Sequence, residues 1–124
     1  MEYASLSQRV YGQLIDGLIA GGPVFLVVLL PTRVANLFAI SWLFWCAFHV
    51  LLADGLAGGQ SLGKRVVGTR VVSDDSGAPC TFTQSLVRNL LLVVLGPIDW
   101  IFIFGAKSQR FGDRIAGTIV VPAA

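Results

Sequence analysis

Two acidic side chains, Asp16 and Asp99, interrupt otherwise apolar stretches of this 124-residue chain. A carboxylate inside an apolar helix is expected to be protonated, paired with a cationic side chain or bound to a cation, because burying its bare charge is costly. Arg9 precedes Asp16 by two helical turns, so the two are predicted to share one helix face about 10 Å apart. Two interpretations follow: an ion-binding or titrating group tuned by Arg9, or a polar clasp between helices.

Asp99 follows a break at Gly96-Pro97. Proline in a helix interior removes a hydrogen bond and clashes with the preceding turn. Non-helical backbone at membrane depth persists only where protein or a wet cavity surrounds it, and transporters often bind ions at such breaks. The alternative role for Asp99 is to cap a helix that begins at Trp100.

Nucleotide binding is not predicted, although residues 58–64 match the pattern G-x-x-x-x-G-K. Arg65 stands where a phosphate loop needs a Ser or Thr hydroxyl for magnesium. Lys64 and Arg65, with Arg88 and Arg110, are instead predicted to contact lipid headgroups or a partner. The sequence contains no serine–histidine–acid arrangement, paired carboxylates or metal-ligand cluster, so we expect no enzyme, metal or cofactor. The net charge of +2 gives no indication of nucleic-acid binding.

Composition identifies the surroundings of the chain. Hydrophobic residues make up 55% of it and charged residues 13%, whereas about a quarter of a soluble domain is charged. Lipid must therefore cover much of the surface, and one domain is expected at this length. The N-terminus lacks a small-residue cleavage site after its apolar core, so the first apolar segment is expected to be retained.

Three apolar stretches supply the helices, at residues 10–30, 34–53 and 89–106. The first two approach the roughly 20 residues that a helix needs to cross a bilayer, and a three-residue turn between them predicts a transmembrane hairpin. Gly17 and Gly21 match the small-xxx-small pattern of close helix contacts. His49, near the end of the second helix, is interpreted as a hydrogen-bonded residue, with proton relay as the alternative.

The third stretch is either one kinked span or a re-entrant pair of half-helices. A re-entrant segment leaves eight of the nine Lys and Arg residues on one side and only Arg33 on the other. A single span divides them five to four. Because Lys and Arg favour the cytoplasmic side, the re-entrant arrangement with a cytoplasmic N-terminus is favoured.

A small cytoplasmic β-element is predicted between the second and third stretches. Residues 64–72 alternate basic and β-branched residues, which favours a strand, and the turn-forming sequence Asp74-Asp75-Ser76-Gly77 predicts a hairpin over residues 64–82. A C-terminal strand at residues 117–121 is expected to join it and cover its edge. Thr83 is the predicted N-cap of the next helix, with Thr81 as the alternative.

Several sequence blocks match one family pattern in order over nearly the whole chain. They are Gln8-Arg9-Val10, Leu14-Ile15-Asp16, residues 59–68, Val71-Val72, Leu86-Val87-Arg88-Asn89 and residues 109–121. On these blocks the chain resembles the RDD family of prokaryotic integral membrane proteins, named for an arginine and two aspartates. The resemblance implies an inner-membrane protein of largely unassigned function, for which transport is suggested and, in some members, sodium/proton exchange.

The resemblance also assigns the name-giving residues. Arg9 and Asp16 resemble the arginine and the first aspartate, and Asp113, within Gly-Asp-x-x-Ala-Gly-Thr, resembles the second, with Asp99 as the other candidate. The first functional hypothesis is a cation- or proton-coupled transporter in which Asp16, Asp99 and Asp113 form a polar path. Such a small chain would need to act as a homo-oligomer. The alternative is a membrane-embedded scaffold whose buried charges are structural and whose β-element binds a membrane-protein partner or anionic lipid.

Overall fold

Two long apolar helices form an antiparallel hairpin in the computed structural model, which describes residues 2–123. Helix α1 spans Leu6–Gly21 and continues into a short α2, Val24–Val27. Helix α3 spans Thr32–Leu52 and runs into a 3-10 turn, Ala53–Gly55. Both are long and apolar enough to cross a membrane, as predicted. Helix α1 begins earlier than predicted because Ser5 caps it, with Gln8 completing a capping box.

The third apolar segment is broken, as predicted. Helix α5 spans Phe82–Leu95 and α6 spans Pro97–Ile101, followed by a 3-10 turn, Phe102–Phe104. The two parts are bent by 111° at Gly96, whose φ is +56°. The predicted N-cap at Thr83 is wrong: Thr81 caps α5, because Gln84 lies three residues later and closes the capping box.

The predicted strand at residues 64–72 is wrong for its first half. Leu62–Val67 forms a short helix, α4, which ends at Gly68 in the left-handed conformation. Strand β1, Thr69–Ser73, follows it. The predicted return strand of the 64–82 hairpin is reduced to one isolated bridge between Val72 and Pro79.

The C-terminal strand is present at nearly the predicted position. Helix α7, Phe111–Ala116, precedes strand β2, Thr118–Pro122. The two strands pair antiparallel, with Val71 opposite Val120. Because β1 precedes the broken segment and β2 follows it, this pairing brings both ends of that segment to the same end of the hairpin. Ala4 donates its backbone N–H to Val120 at 2.9 Å, which places the start of α1 there as well.

An internal repeat organises this end of the molecule. Residues 60–72 and 109–121 align without gaps, and seven of the thirteen positions are identical. Each copy forms a short helix, a left-handed glycine and a strand. The surrounding bonds repeat too: Gln60 and Gln109 donate to the carbonyls of Thr69 and Thr118 at 2.9 and 2.8 Å. The copies are thus related by an approximate two-fold axis through the Val71–Val120 pair.

Candidate functional site: a buried network of charged side chains

Asp16 lies at the contact between α1 and α4. Its Oδ1 accepts a hydrogen bond from the Gly63 amide at 2.7 Å and lies 3.0 Å from His49 Nε2. Its Oδ2 accepts from the Ser61 hydroxyl and lies 3.5 Å from Lys64 Nζ. Arg9 and Asp16 are both buried on α1, but Arg9 does not pair with it.

Arg9 reaches instead to Asp113, at the other end of the network. Its guanidinium donates to the Asp113 carboxylate and to the Ser108 carbonyl. Arg88 binds the same carboxylate with its Nη2 at 2.6 Å, and Arg110 Nη2 lies 3.3 Å away. Burial alone would raise the pKa of Asp113, but the guanidinium groups of Arg88, Arg110 and Arg9 hold it well below its usual range.

Asp54 joins these two centres, and the sequence analysis did not identify it. It lies just past the predicted end of the second helix and is 3% exposed. Lys64 Nζ and Arg88 Nη1 each approach its carboxylate at 2.7 Å, and Asn89 Nδ2 donates to it at 3.2 Å. Lys64 therefore bridges Asp54 to Asp16, while Arg88 bridges Asp54 to Asp113.

One of the two predicted roles of Asp99, the cap of a helix that begins at Trp100, is wrong. Helix α6 already begins at Pro97, and Asp99 lies in its first turn. Its Oδ1 accepts from the Gly112 amide at 2.6 Å, and its Oδ2 lies 3.6 Å from Arg110 Nε. Asp99 thus binds α7 as Asp16 binds α4, since Gly112 and Gly63 are equivalent positions of the repeat.

The buried charges of the network balance. Its four carboxylates and four cationic side chains are Asp16, Asp54, Asp99, Asp113, Arg9, Lys64, Arg88 and Arg110, all buried. With His49 neutral, the sum of these charges is zero. Within residues 2–123, no group of three or more His, Cys, Asp or Glu residues could hold a metal ion.

Comparison with known proteins agrees with the sequence pattern. The sequence model of the RDD family matches residues 3–117. This chain belongs to the RDD family. It is 38% identical over 68 residues to a proline-rich antigen homolog of Mycobacterium tuberculosis, covering 52% of this chain and 28% of the relative.

A second relative, the proline-rich antigen of Mycobacterium leprae, is 32% identical over 99 residues, covering 74% of this chain and 40% of the relative. The chain thus spans less than half the length of these two relatives. No solved structure matches it. The family and the apolar helices together indicate a membrane protein of unassigned function.

The structure brings together all four residues predicted for the polar network of this RDD protein, Arg9, Asp16, Asp99 and Asp113. Three of the four residues predicted to contact headgroups or a partner, Lys64, Arg88 and Arg110, are buried in the same network. Only Arg65 is exposed. Lipid or partner contact by these side chains stays a prediction.

Sequence reasoning missed Asp54, Ser61 and Asn89, each of which has a partner more than 20 residues away along the chain. The internal repeat was the available signal. Gly63 and Gly112 occupy equivalent positions, so an acidic acceptor for one short helix implies an acceptor for the other. Charged residues near these glycines, such as Lys64, would then have been assigned to the protein interior.

Proposed function

We propose that this RDD chain is a non-enzymatic, membrane-embedded interaction module, whose buried charges hold its helices and strand pair in one arrangement. The observation that carries the proposal is that every carboxylate of the network is paired with a cationic side chain. Asp16, Asp54, Asp99 and Asp113 each have a cationic side chain within 3.6 Å, and all but Asp54 also accept from a backbone amide. Fixed partners of this kind favour a structural role for the carboxylates.

The proposed placement is a multi-pass inner-membrane protein with a cytoplasmic N-terminus and a re-entrant third segment. Both ends of that segment lie beside the paired strands, which supports re-entry. Eight of the nine Lys and Arg residues then lie on the side of the strands, and the positive-inside rule assigns that side to the cytoplasm. The tip of the hairpin, with Arg33, would face outward.

Thiol labelling tests this topology. A cysteine at Ala106, which is exposed after the broken segment, is expected to resist a membrane-impermeant maleimide added to intact cells. A cysteine at Thr32, at the hairpin tip, is the matched control and should react. Native Cys46 is replaced by alanine. Cys80 is retained, because burial raises the pKa of its thiol to about 11 and keeps it neutral. External labelling at Ala106 would contradict re-entry.

The partner in this proposal is another membrane protein or a second copy of the chain. Support comes from the two curated relatives, of which this chain covers only 28% and 40%. A stretch of this kind is therefore found within longer proteins. A self-contained charged network suits such a module, because it keeps the fold independent of what adjoins it.

Cation- or proton-coupled transport by an oligomer is the second candidate. It is favoured by a cavity of about 30 Å³ beside Asp16, His49, Asp54 and Lys64. This is enough room for roughly one water-sized particle. Two carboxylates, an imidazole and a lysine surround one small cavity. Such groups can exchange protons, and the carboxylates can bind a cation.

Replacing Asp16 with asparagine separates the two candidates. The amide side chain can still accept from the Gly63 amide, but Lys64 and His49 lose an anionic partner, so we expect stability to fall by about 1–3 kcal/mol. Thermal unfolding in detergent measures this loss, and proton and sodium flux in proteoliposomes measures transport. The module proposal expects no flux from the wild-type chain. Flux that the wild type carries and a folded Asp16→Asn chain lacks would establish transport instead.

A further inference from the structure

A second cavity, of about 10 Å³, lies on the other side of the network between α1 and the segments that carry Lys64, Arg88 and Arg110. Four cationic side chains line it: these three and Arg9. Among the described residues, no carboxylate lines it. The charged side chains that line this cavity are therefore all cationic.

Two side chains that line the cavity have donors without acceptors. Arg110 and Thr69 are each 1% exposed. Within residues 2–123, Arg110 Nη1 and Thr69 Oγ1 have no hydrogen-bond partner. Arg110 Nε is nearly as poorly satisfied, since Asp99 Oδ2 lies 3.6 Å from it. Buried donors without acceptors are unfavourable, so an occupant that supplies an anionic oxygen fits this cavity.

The basic cavity opens beside an apolar groove. Val10, Gln13, Leu14 and Trp100 line the groove, whose volume is about 280 Å³. Gln13 and Trp100 line both the groove and the basic cavity. Val10 and Leu14 are one helical turn apart on α1 and are 38% and 57% exposed. The groove thus leads from the level of Arg9 toward the apolar middle of the helix.

We propose that this continuous surface binds one anionic phospholipid. A phosphate oxygen enters the mouth of the basic cavity and accepts from Arg110 and Thr69, while one acyl chain lies in the groove against Leu14 and Trp100. The cavity admits about one oxygen-sized atom, so a free phosphate gains little there, whereas a lipid also buries its chain. Four cations disfavour the ammonium of a zwitterionic headgroup.

Trp100 reports directly on this groove. In a chain carrying Trp42→Phe and Trp45→Phe, placed in phosphatidylcholine vesicles, brominated acyl chains quench the fluorescence of Trp100 when they touch it. We expect brominated phosphatidylglycerol to quench with about fivefold higher apparent affinity than brominated phosphatidylcholine. The Trp100→Phe chain retains Trp42 and Trp45, which donate to the carbonyls of Ala20 and Ile19, and should show no such preference.

Matched substitutions test whether the lipid preference arises at this cavity and groove. Gln13→Glu places a carboxylate where cavity and groove meet and is expected to lower the preference about fivefold. Ser7→Glu makes the same change of charge at an exposed position of α1 and should change it less than about twofold. Thr69→Val, which removes a hydroxyl that has no partner within residues 2–123, should also weaken the preference while the fold is retained.

Three results would overturn the proposal. Equal quenching by both brominated lipids would exclude selective binding. Equal effects of Gln13→Glu and Ser7→Glu would show that the lipid preference arises from the surface potential of the whole protein. If inorganic phosphate or chloride, added at constant ionic strength, abolished the preference for phosphatidylglycerol, the cavity would be assigned to a free anion. None of these results depends on flux, so the lipid site and the proposed module function fail independently.

Discussion

Asp113→Asn is expected to lower the free energy of unfolding by about 3–5 kcal/mol, among the largest effects of any single substitution in this chain. Asp113 is fully buried, and its carboxylate is the common partner of Arg9, Arg88 and Arg110. A neutral amide leaves three buried guanidinium groups with less compensating charge. It also replaces an acceptor with a donor that faces other donors.

Reversible unfolding of the full chain in mixed micelles measures this effect. Asp75→Asn is the matched control, because Asp75 is exposed in the turn after β1, and it should change stability by less than about 0.5 kcal/mol. If both substitutions cost the same, the arginine–aspartate cluster does not hold the fold together.

The pH dependence of the same comparison provides a second check. The pKa of Asp113 is held below its usual range by the three guanidinium groups. An aspartate whose pKa is lower in the folded state than in the unfolded state stabilises the fold when it is ionised. This contribution is complete above the unfolded-state pKa, near 3.9, and is lost as the pH falls through the folded-state pKa. The difference in the free energy of unfolding between wild type and Asp113→Asn should therefore be constant from about pH 8 to pH 5 and shrink only at lower pH.

The helical hairpin was predictable because composition decides it. Long apolar runs and a short turn fix α1 and α3 without reference to the rest of the chain. The break at Gly96-Pro97 was predictable for the same reason, since proline acts on its own helix. The placement of Arg9 and Asp16 on one face of α1 also follows from helical spacing alone.

The pairing of the charges was not predictable from local spacing. Arg9 and Asp16 share one face of α1, yet each binds a residue from far along the chain: Arg9 binds Asp113, and Asp16 binds His49. The helical conformation of α4 was also not predictable from local sequence. Its β-branched pattern favours a strand, but the docking of the Gly63 amide on Asp16 makes a helical turn the better solution.

The repeat shows how each short helix packs against a longer one. At Gly63, an added Cβ would overlap the Gly12 carbonyl and lie 2.7 Å from Asp16 Cγ. At Gly112, it would overlap the Arg88 carbonyl. Both glycines therefore let a short helix approach a long one until its amide reaches a carboxylate. Gly17 and Gly21 match the small-xxx-small pattern. Apart from their chain neighbours and the adjacent backbone of their own helix, no described atom lies within 4 Å of an added Cβ at either position.

Gly63→Ala and Gly112→Ala are accordingly each expected to lower stability by about 2–4 kcal/mol, through overpacking and loss of one buried hydrogen bond. Both positions are helical, and alanine is intrinsically the better helix former by about 1 kcal/mol, so local preference alone predicts the opposite sign. Gly17→Ala is the matched control and should be neutral or stabilising by up to about 1 kcal/mol. Thermal unfolding of the three variants in one detergent makes the comparison. If Gly63→Ala behaved like Gly17→Ala, α4 would not pack against α1 closely enough for its amide to bind Asp16.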